Sequence, residues 1–267
     1  MIPLFCVMEG SPMDPITSLQ NERVKLAKGL LIRPRLRRKE RKIALEGTRL
    51  VRDAVERGQK PLFVLYELEK ADAPLIALLE QRGAQLLSVS DAVMKHVSET
   101  QQPQGVVAVF PLPVPALPRH PRRVLILDGV SDPGNLGTAL RTSAAAGVEV
   151  VLLAPGCVDP YNPKALRSGM GAHFRVPVIE AGWTEIGAYC QPLTVYLAAG
   201  DGDMRYDLAD WSAPWAIIIG SEAHGTGPQA AALAQHRVYI PMAASTESLN
   251  AAAAAAVLLF ETARTRL

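Results

Sequence analysis

From Arg123 onward the chain alternates short, almost wholly apolar runs with helix-like stretches, and this pattern constrains the fold more than any other feature. VLILD (124–128), VEVVLLA (148–154), LTVYLA (193–198), WAIIIG (215–220) and VYI (238–240) read as strands. Helices are expected at about 136–146 and 163–170, with a last one starting near Asn250. Strands that are apolar at nearly every position must be buried on both faces, which is the condition of a parallel sheet covered by helices. Ligands of such sheets collect at the carboxyl ends of the strands. Three polar turns follow strands at that end: DGVSDPGNLG, GSEAHGTG and PMAASTESLN.

Residues 13–110 read as a second, smaller α/β unit. A helix at about 17–31 places Val24, Ala27 and Leu31 on one face, and a strand at 43–45 leads into a helix carrying Leu50, Val51, Ala54 and Val55. Strands follow at 61–67, 84–89 and 105–110, with helices at about 72–82 and 90–97. PLPVPALPRHP holds five prolines, so 111–122 is expected to be an extended linker, with 123–267 as the larger domain. Residues 1–12 read as a leader extension before a start at Met13; they lack a basic segment and are too short to span a membrane.

Net charge is only +2, but it is unevenly spread. Residues 21–60 hold 14 Lys or Arg against 5 Asp or Glu, a local +9 that leaves −7 for the remainder. Within this stretch RPRLRRKERK concentrates Arg33, Arg35, Arg37, Arg38, Lys39, Arg41 and Lys42, the footprint expected for phosphate-backbone binding, although a solvated charged loop is the plainer alternative. Cys6, Cys157 and Cys190 are odd in number and lack CxxC spacing, which points to a reducing compartment, expected to be the cytoplasm. No metal site is readable.

The turn before the last helix bunches Glu247, Ser248 and Asn250 ahead of six alanines, Ala251 to Ala256. A helix start can hold anionic or polar ligand groups, and alanines admit a close neighbour; simple capping by Ser245 or Thr246 explains the same residues. The first turn presents Asn135, with Arg141 one to two helical turns beyond. An arginine among Ala139, Ala144 and Ala145 is expected to need an anion, or an acidic partner such as Asp132. The second turn offers Gly220, Gly225 and Gly227 for close backbone approach, with Glu222 beyond a buried strand. No P-loop, GxGxxG or G-x-S-x-G pattern is present.

NLGTALRTSAAAG, IIIGSEAHG and IPMAASTESLNAAAAAA, in this order, closely resemble the three motifs of the SpoU/TrmH family of RNA ribose 2′-O-methyltransferases. YNPKALRSGMGAHFRVPV, between the first two, is similar to that family as well. The resemblance covers 123–264, while 13–110, with NERVK and EGTRLVRDA, resembles the family's L30e-like substrate-binding domain.

The resemblance implies a SPOUT fold: a parallel sheet whose C-terminal chain threads a trefoil knot. It implies S-adenosylmethionine bound there by Gly220, Ile240, Met242, Ser248 and Leu249, with Leu197, Ala198 and Ala199 as a further wall. It maps catalytic positions onto Asn135, Arg141, Glu222, Ser248 and Asn250. Arg141 has been proposed as a base in the family, but a guanidinium stays protonated, so a clamp stabilising the emerging alkoxide, oriented by Asn135, Ser248 and Asn250, is the expected role. Glu222 is expected to order Arg141 or the loop. No metal is required, the partner is RNA, and the expected assembly is a homodimer. Large-subunit (23S) ribosomal RNA is the expected substrate. Transfer RNA, or a non-catalytic assembly role on the same scaffold, are the alternatives.

Overall fold

Described in the computed structural model are residues 14–221, 225–243 and 248–264. Residues 1–12, Met13, Glu222, His224, Ser245, Thr246 and Glu247 lie outside the described residues. Asn21 caps the first helix, α1 (Glu22–Ile32), by accepting from the Arg23 N–H, so the helix starts later than its apolar spacing suggests. The basic run is a short second helix, α2 (Pro34–Glu40), opened by a proline at its first turn and closed by Arg41 at φ 53°. Then come β1 (Lys42–Glu46), α3 (Thr48–Glu56), β2 (Phe63–Tyr66), α4 (Ala73–Gln81), β3 (Leu86–Ser88), α5 (Asp91–Val97) and β4 (Val106–Pro111).

These strands form a sheet in the order β1-β4-β2-β3, with β4 antiparallel to both neighbours and β2 parallel to β3. β4 feeds two cores by simple alternation. Val107 and Val109 pack with Val24, Ala27 and Val93 on one face, and Val106, Ala108 and Phe110 pack with Val51, Val55 and Leu75 on the other. Pro111 pairs with Lys42, so the strand runs one residue into the proline-rich segment.

The C-terminal half contains β5 (Arg123–Asp128), α6 (Pro133–Ala146), β6 (Val150–Leu153), α7 (Pro163–Gly169), β7 (Val178–Glu180), α8 (Trp183–Cys190), β8 (Thr194–Ala198), β9 (Met204–Arg205), β10 (Trp215–Gly220), α9 (Pro228–Leu233), β11 (His236–Tyr239) and α10 (Ala251–Ala263). The sheet order is β7-β6-β5-β10-β8-β11-β9, and every pairing in it is parallel, as the apolar strands predict. Its two faces are separate cores. Leu125, Leu127, Ile217 and Ile219 meet α6 and α10 on one side; Val124, Ile126, Val195, Leu197 and Ile218 meet α8 on the other. No described helix is long and apolar enough to cross a membrane.

Asp132 caps α6 by accepting from the Asn135 N–H at 2.9 Å, so Asn135 sits inside the first helical turn and not in the turn before it. Lys164 pairs with the same carboxylate at 2.8 Å and, with that N–H, holds Asp132 below the usual carboxylate range. Gly137 lets α6 and α7 approach to backbone contact: a Cβ there would lie 2.0 Å from Ser168 Oγ and 2.3 Å from the Ala165 carbonyl.

The two halves share a core. Leu166 of α7 is buried in the N-terminal cluster that holds Leu50 and Val51, with Tyr161 and Phe174 packed against it. Arg37 reaches across and corrects one sequence expectation: it is 2% exposed and unavailable to phosphate. Its guanidinium donates to Asp159 at 2.7 and 3.0 Å and to the Leu30 and Leu31 carbonyls at 2.5 and 3.1 Å. These acceptors satisfy an otherwise costly buried charge. Arg38 pairs with Glu180 at 2.9 Å, and Arg175 pairs with Asp53 at 2.8 Å, both across the same junction.

Candidate functional site

The carboxyl ends of β8, β10 and β11 open on a cavity of about 400 Å³. Ala198, Ala199, Gly220, Ile240, Met242, Ser248 and Leu249 line it, where the sequence puts the cofactor. Leu197 does not. Side chains alternate along a strand, so with Ala198 packed on the cavity side Leu197 must point to the opposite core, where it is 1% exposed. Gly225, Ala251 and Ala254, a turn glycine and two of the six alanines, also line it, and Gly200, Asp201, Ile219, Ser221, Thr226, Arg237 and Val238 complete the lining without having been anticipated. Asp201 and Arg237 were legible only as ordinary polar residues; they pair with each other at 2.5 Å, which holds the Asp201 carboxyl below its usual range.

Backbone closeness shapes this cavity. A Cβ on Gly220 would sit 2.5 Å from the carbonyl of Gly225, so only glycine fits at the end of β10. Ser221 and Gly225 exchange two backbone hydrogen bonds of 2.9 Å, which join the two described ends of the second turn. Buried Asp128, at the end of β5, accepts from the Gly227 N–H at 2.7 Å and ties the first turn to the second. An acid ending the apolar run VLIL was the available signal for that tie.

Asn250 joins the first and third turns. Its Oδ1 accepts from Ala252 and Ala253 N–H at 2.9 and 3.2 Å, making it the N-cap of α10 in place of Ser245 or Thr246. With the oxygen so engaged, the amide nitrogen faces away and donates to Asn135 Oδ1 at 2.9 Å. Ser248, Leu249 and Ala251, flanking Asn250, all line the cavity, so the asparagine pair stands at its edge.

Arg141 lies elsewhere. It is exposed, where the surrounding alanines suggested enclosure, and no hydrogen bond joins it to Asn135, Ser248 or Asn250. The acidic partner considered for it, Asp132, is taken by Lys164. Arg141 instead lines a second cavity of about 640 Å³ between the two halves, together with Arg49, Arg52, Arg167 and Arg175. Of the basic run, Arg33, Arg35, Arg38, Lys39 and Arg41 are exposed, and Lys42 is half-buried beside Glu40 at 3.3 Å.

Residues 122–260 match the SpoU rRNA Methylase family, and residues 21–108 match the MRM3-like substrate binding domain. The chain is 36% identical to the 23S rRNA (guanosine(2553)-2'-O)-methyltransferase RlmP of Bacillus subtilis (strain 168), over 93% of this chain and 98% of that protein. It is 35% identical to mitochondrial rRNA methyltransferase 3 of Mus musculus, over 84% of this chain and 68% of that one. Among solved structures, the AdoMet-bound rRNA methyltransferase from Sinorhizobium meliloti superposes with a TM-score of 0.84 at 30% identity, covering 95% of this chain and 98% of that one. The SpoU methyltransferase AviRb from Streptomyces viridochromogenes, in complex with AdoMet, gives a TM-score of 0.86 at 27% identity, with 92% and 98% covered. With its three motif turns gathered at one end of the parallel sheet, this chain belongs to the SpoU rRNA methylase family.

Proposed function

We propose that the protein transfers a methyl group from S-adenosylmethionine to a ribose 2′-hydroxyl of large-subunit ribosomal RNA. The observation that carries this reading is the cavity at the ends of β8, β10 and β11, with the Asn135–Asn250 pair at its edge. Its volume falls in the ordinary range for cofactor sites. Its lining suits the cofactor. Gly220, Gly225, Ala198, Ala199 and Ser248 leave room for a ligand to reach the main chain, Ile240, Met242 and Leu249 add apolar wall, and the paired Asp201 and Arg237 leave no net charge to repel a cation. When bound, S-adenosylmethionine supplies an electrophilic methyl on a sulfonium.

The residues of this chain then have to align a ribose oxygen and offset its developing charge. Asn250 is fixed by its cap bonds and holds Asn135, and the two together orient the ribose. Ser248 bridges the cofactor wall and the ribose. Arg141 clamps a neighbouring phosphate, and Glu222 orders the second turn. In this reading 13–110 docks the RNA through the exposed cations of α2, and 123–267 performs catalysis with the C-terminal chain threaded as a trefoil knot.

A homodimer is part of the proposal, with the half-exposed Phe260 of α10 as apolar interface material. A reducing, cytoplasmic setting is part of the proposal and rests on the odd, unspaced cysteines; burial pushes the free Cys157 and Cys190 thiols up to about 11 and about 12, which makes them unreactive. The test is tritiated methyl transfer to ribosomal and transfer RNA fractions, followed by mapping of the modified ribose. Label at one 2′-oxygen of large-subunit rRNA is expected; RNA binding without incorporation into either fraction would remove the enzymatic reading.

A further inference from the structure

The cavity between the halves shares no lining residue with the cavity at the strand ends, and it gathers five arginines from both domains: Arg49 and Arg52 from α3, Arg141 from α6, Arg167 from α7, and Arg175. Three acids share the lining, Glu46, Asp53 and Glu56. Two of them are engaged within the fold. Glu46 accepts from the Ser98 and Thr100 hydroxyls and the Glu99 N–H, and Asp53 is held between Arg57 and Arg175. Arg52 is likewise satisfied by Asp72. Arg49, Arg141 and Arg167 are all exposed and have no acidic partner among the described residues. Gln104 adds a neutral donor: its Oε1 accepts from the Thr48 N–H at 2.9 Å, which leaves the amide nitrogen for the cavity.

Three unpaired guanidiniums converging from two domains are held against mutual repulsion by the packing beneath them. Gly137 brings α7 onto α6, the two helices that carry Arg167 and Arg141 to one cavity, and the Arg37–Asp159 pair anchors the N-terminal half that carries Arg49. Such a cluster fits a chain of phosphates, which the guanidinium fork accepts bidentately. Its position relative to the methyl-transfer site is set by one helix. Asn135 and Arg141 are six residues apart on α6, or ~9 Å along its axis.

We propose that this arginine cleft, with Arg49 and Arg167 as the new members, binds the RNA sugar–phosphate backbone flanking the methylated nucleotide. The α2 cations then serve approach more than registration. The inference rests on the RNA methyltransferase reading, and the experiment separates their failures. An unmethylated 23S rRNA transcript is titrated with wild-type protein and with Arg49→Ala/Arg167→Ala at several salt concentrations, alongside S-adenosylhomocysteine binding, thermal unfolding and methyl transfer. The double variant is expected to bind RNA at least tenfold more weakly. The slope of log K against log salt should fall by about 1.4 for two lost single-strand phosphate contacts. Cofactor affinity and melting temperature should stay at wild-type values, and Arg49→Lys/Arg167→Lys should recover most of the slope. Unchanged RNA affinity and slope in a double variant that still methylates would overturn the cleft and leave the enzyme reading standing. A wild-type protein that binds the transcript but never methylates it would sink the enzyme reading, while the slope still decides the cleft. Failure of the wild type to bind the transcript would overturn both.

Discussion

Replacing Arg37 with alanine separates a buried, structural arginine from its exposed neighbours inside a single basic run. The side chain is 3% exposed and its partner Asp159 carboxylate 13%, so the pair sits largely out of water. Arg37→Ala would strand that carboxylate and remove the donor from the Leu30 and Leu31 carbonyls. Removing one partner of a buried pair costs about 3–5 kcal/mol, because the remaining charge is left uncompensated. For a chain of this size that corresponds to a fall in melting temperature on the order of 10 °C. The exposed neighbour gives the contrast: Arg35→Ala should stay within about 0.5 kcal/mol of wild type. Urea unfolding of Arg37→Ala, Asp159→Asn and the double variant closes a cycle whose coupling energy reports the pair itself. If Arg37→Ala unfolded like wild type while its RNA salt dependence weakened, the burial argument would be wrong and the side chain would be a phosphate contact after all.

Three further outcomes follow from the geometry. Asn250→Asp keeps the cap acceptor of α10 but replaces the donor to Asn135, so melting should hold within about 1 kcal/mol while single-turnover methyl transfer drops at least tenfold; full activity would show that the amide donor is dispensable. Gly220→Ala forces a Cβ into the Gly225 backbone at 2.5 Å, and calorimetric S-adenosylhomocysteine affinity should weaken by about 1.4 kcal/mol or more, the equivalent of tenfold. His173 is buried, and that burial pulls its imidazole down from 6.5 to about 4. Its neutral form is therefore the native one: the contribution is complete above pH 6.5 and is lost as pH falls toward 4, by about 3 kcal/mol in total. Denaturation at pH 7.5, 5.5 and 4.5 should show that loss in wild type and a shallower one in His173→Gln; equal slopes would refute it.

Much of the larger half was legible because its central strands are apolar at nearly every position, which a doubly covered parallel sheet satisfies. The three turns could be recognised for the same reason: bunched polar residues and glycines interrupt an otherwise buried pattern. Short edge elements left no trace, as β9 has two residues and β7 three, below any readable period. Arg37 escaped because the residue that buries it, Asp159, is 122 positions away, and local sequence marks it only as one cation among seven. Arg141 misled in the opposite direction. Alanine neighbours imply close packing of a helix, but not on all sides, and its own face of α6 opens on the cleft. Leu197 failed by one residue of register, the smallest error a strand permits and one that reverses the face.

The shared core between the halves changes what the proline-rich segment means. A domain held only by a flexible tether presents its ligand to a distant site at an effective concentration set by tether length. Here Leu166 is buried among residues of the N-terminal sheet, and the Arg37–Asp159 pair crosses the same junction. The orienting cost is therefore met during folding, before any partner arrives. Lengthening residues 111–122 should change little, whereas loosening the junction should turn one preorganised surface into two weaker ones.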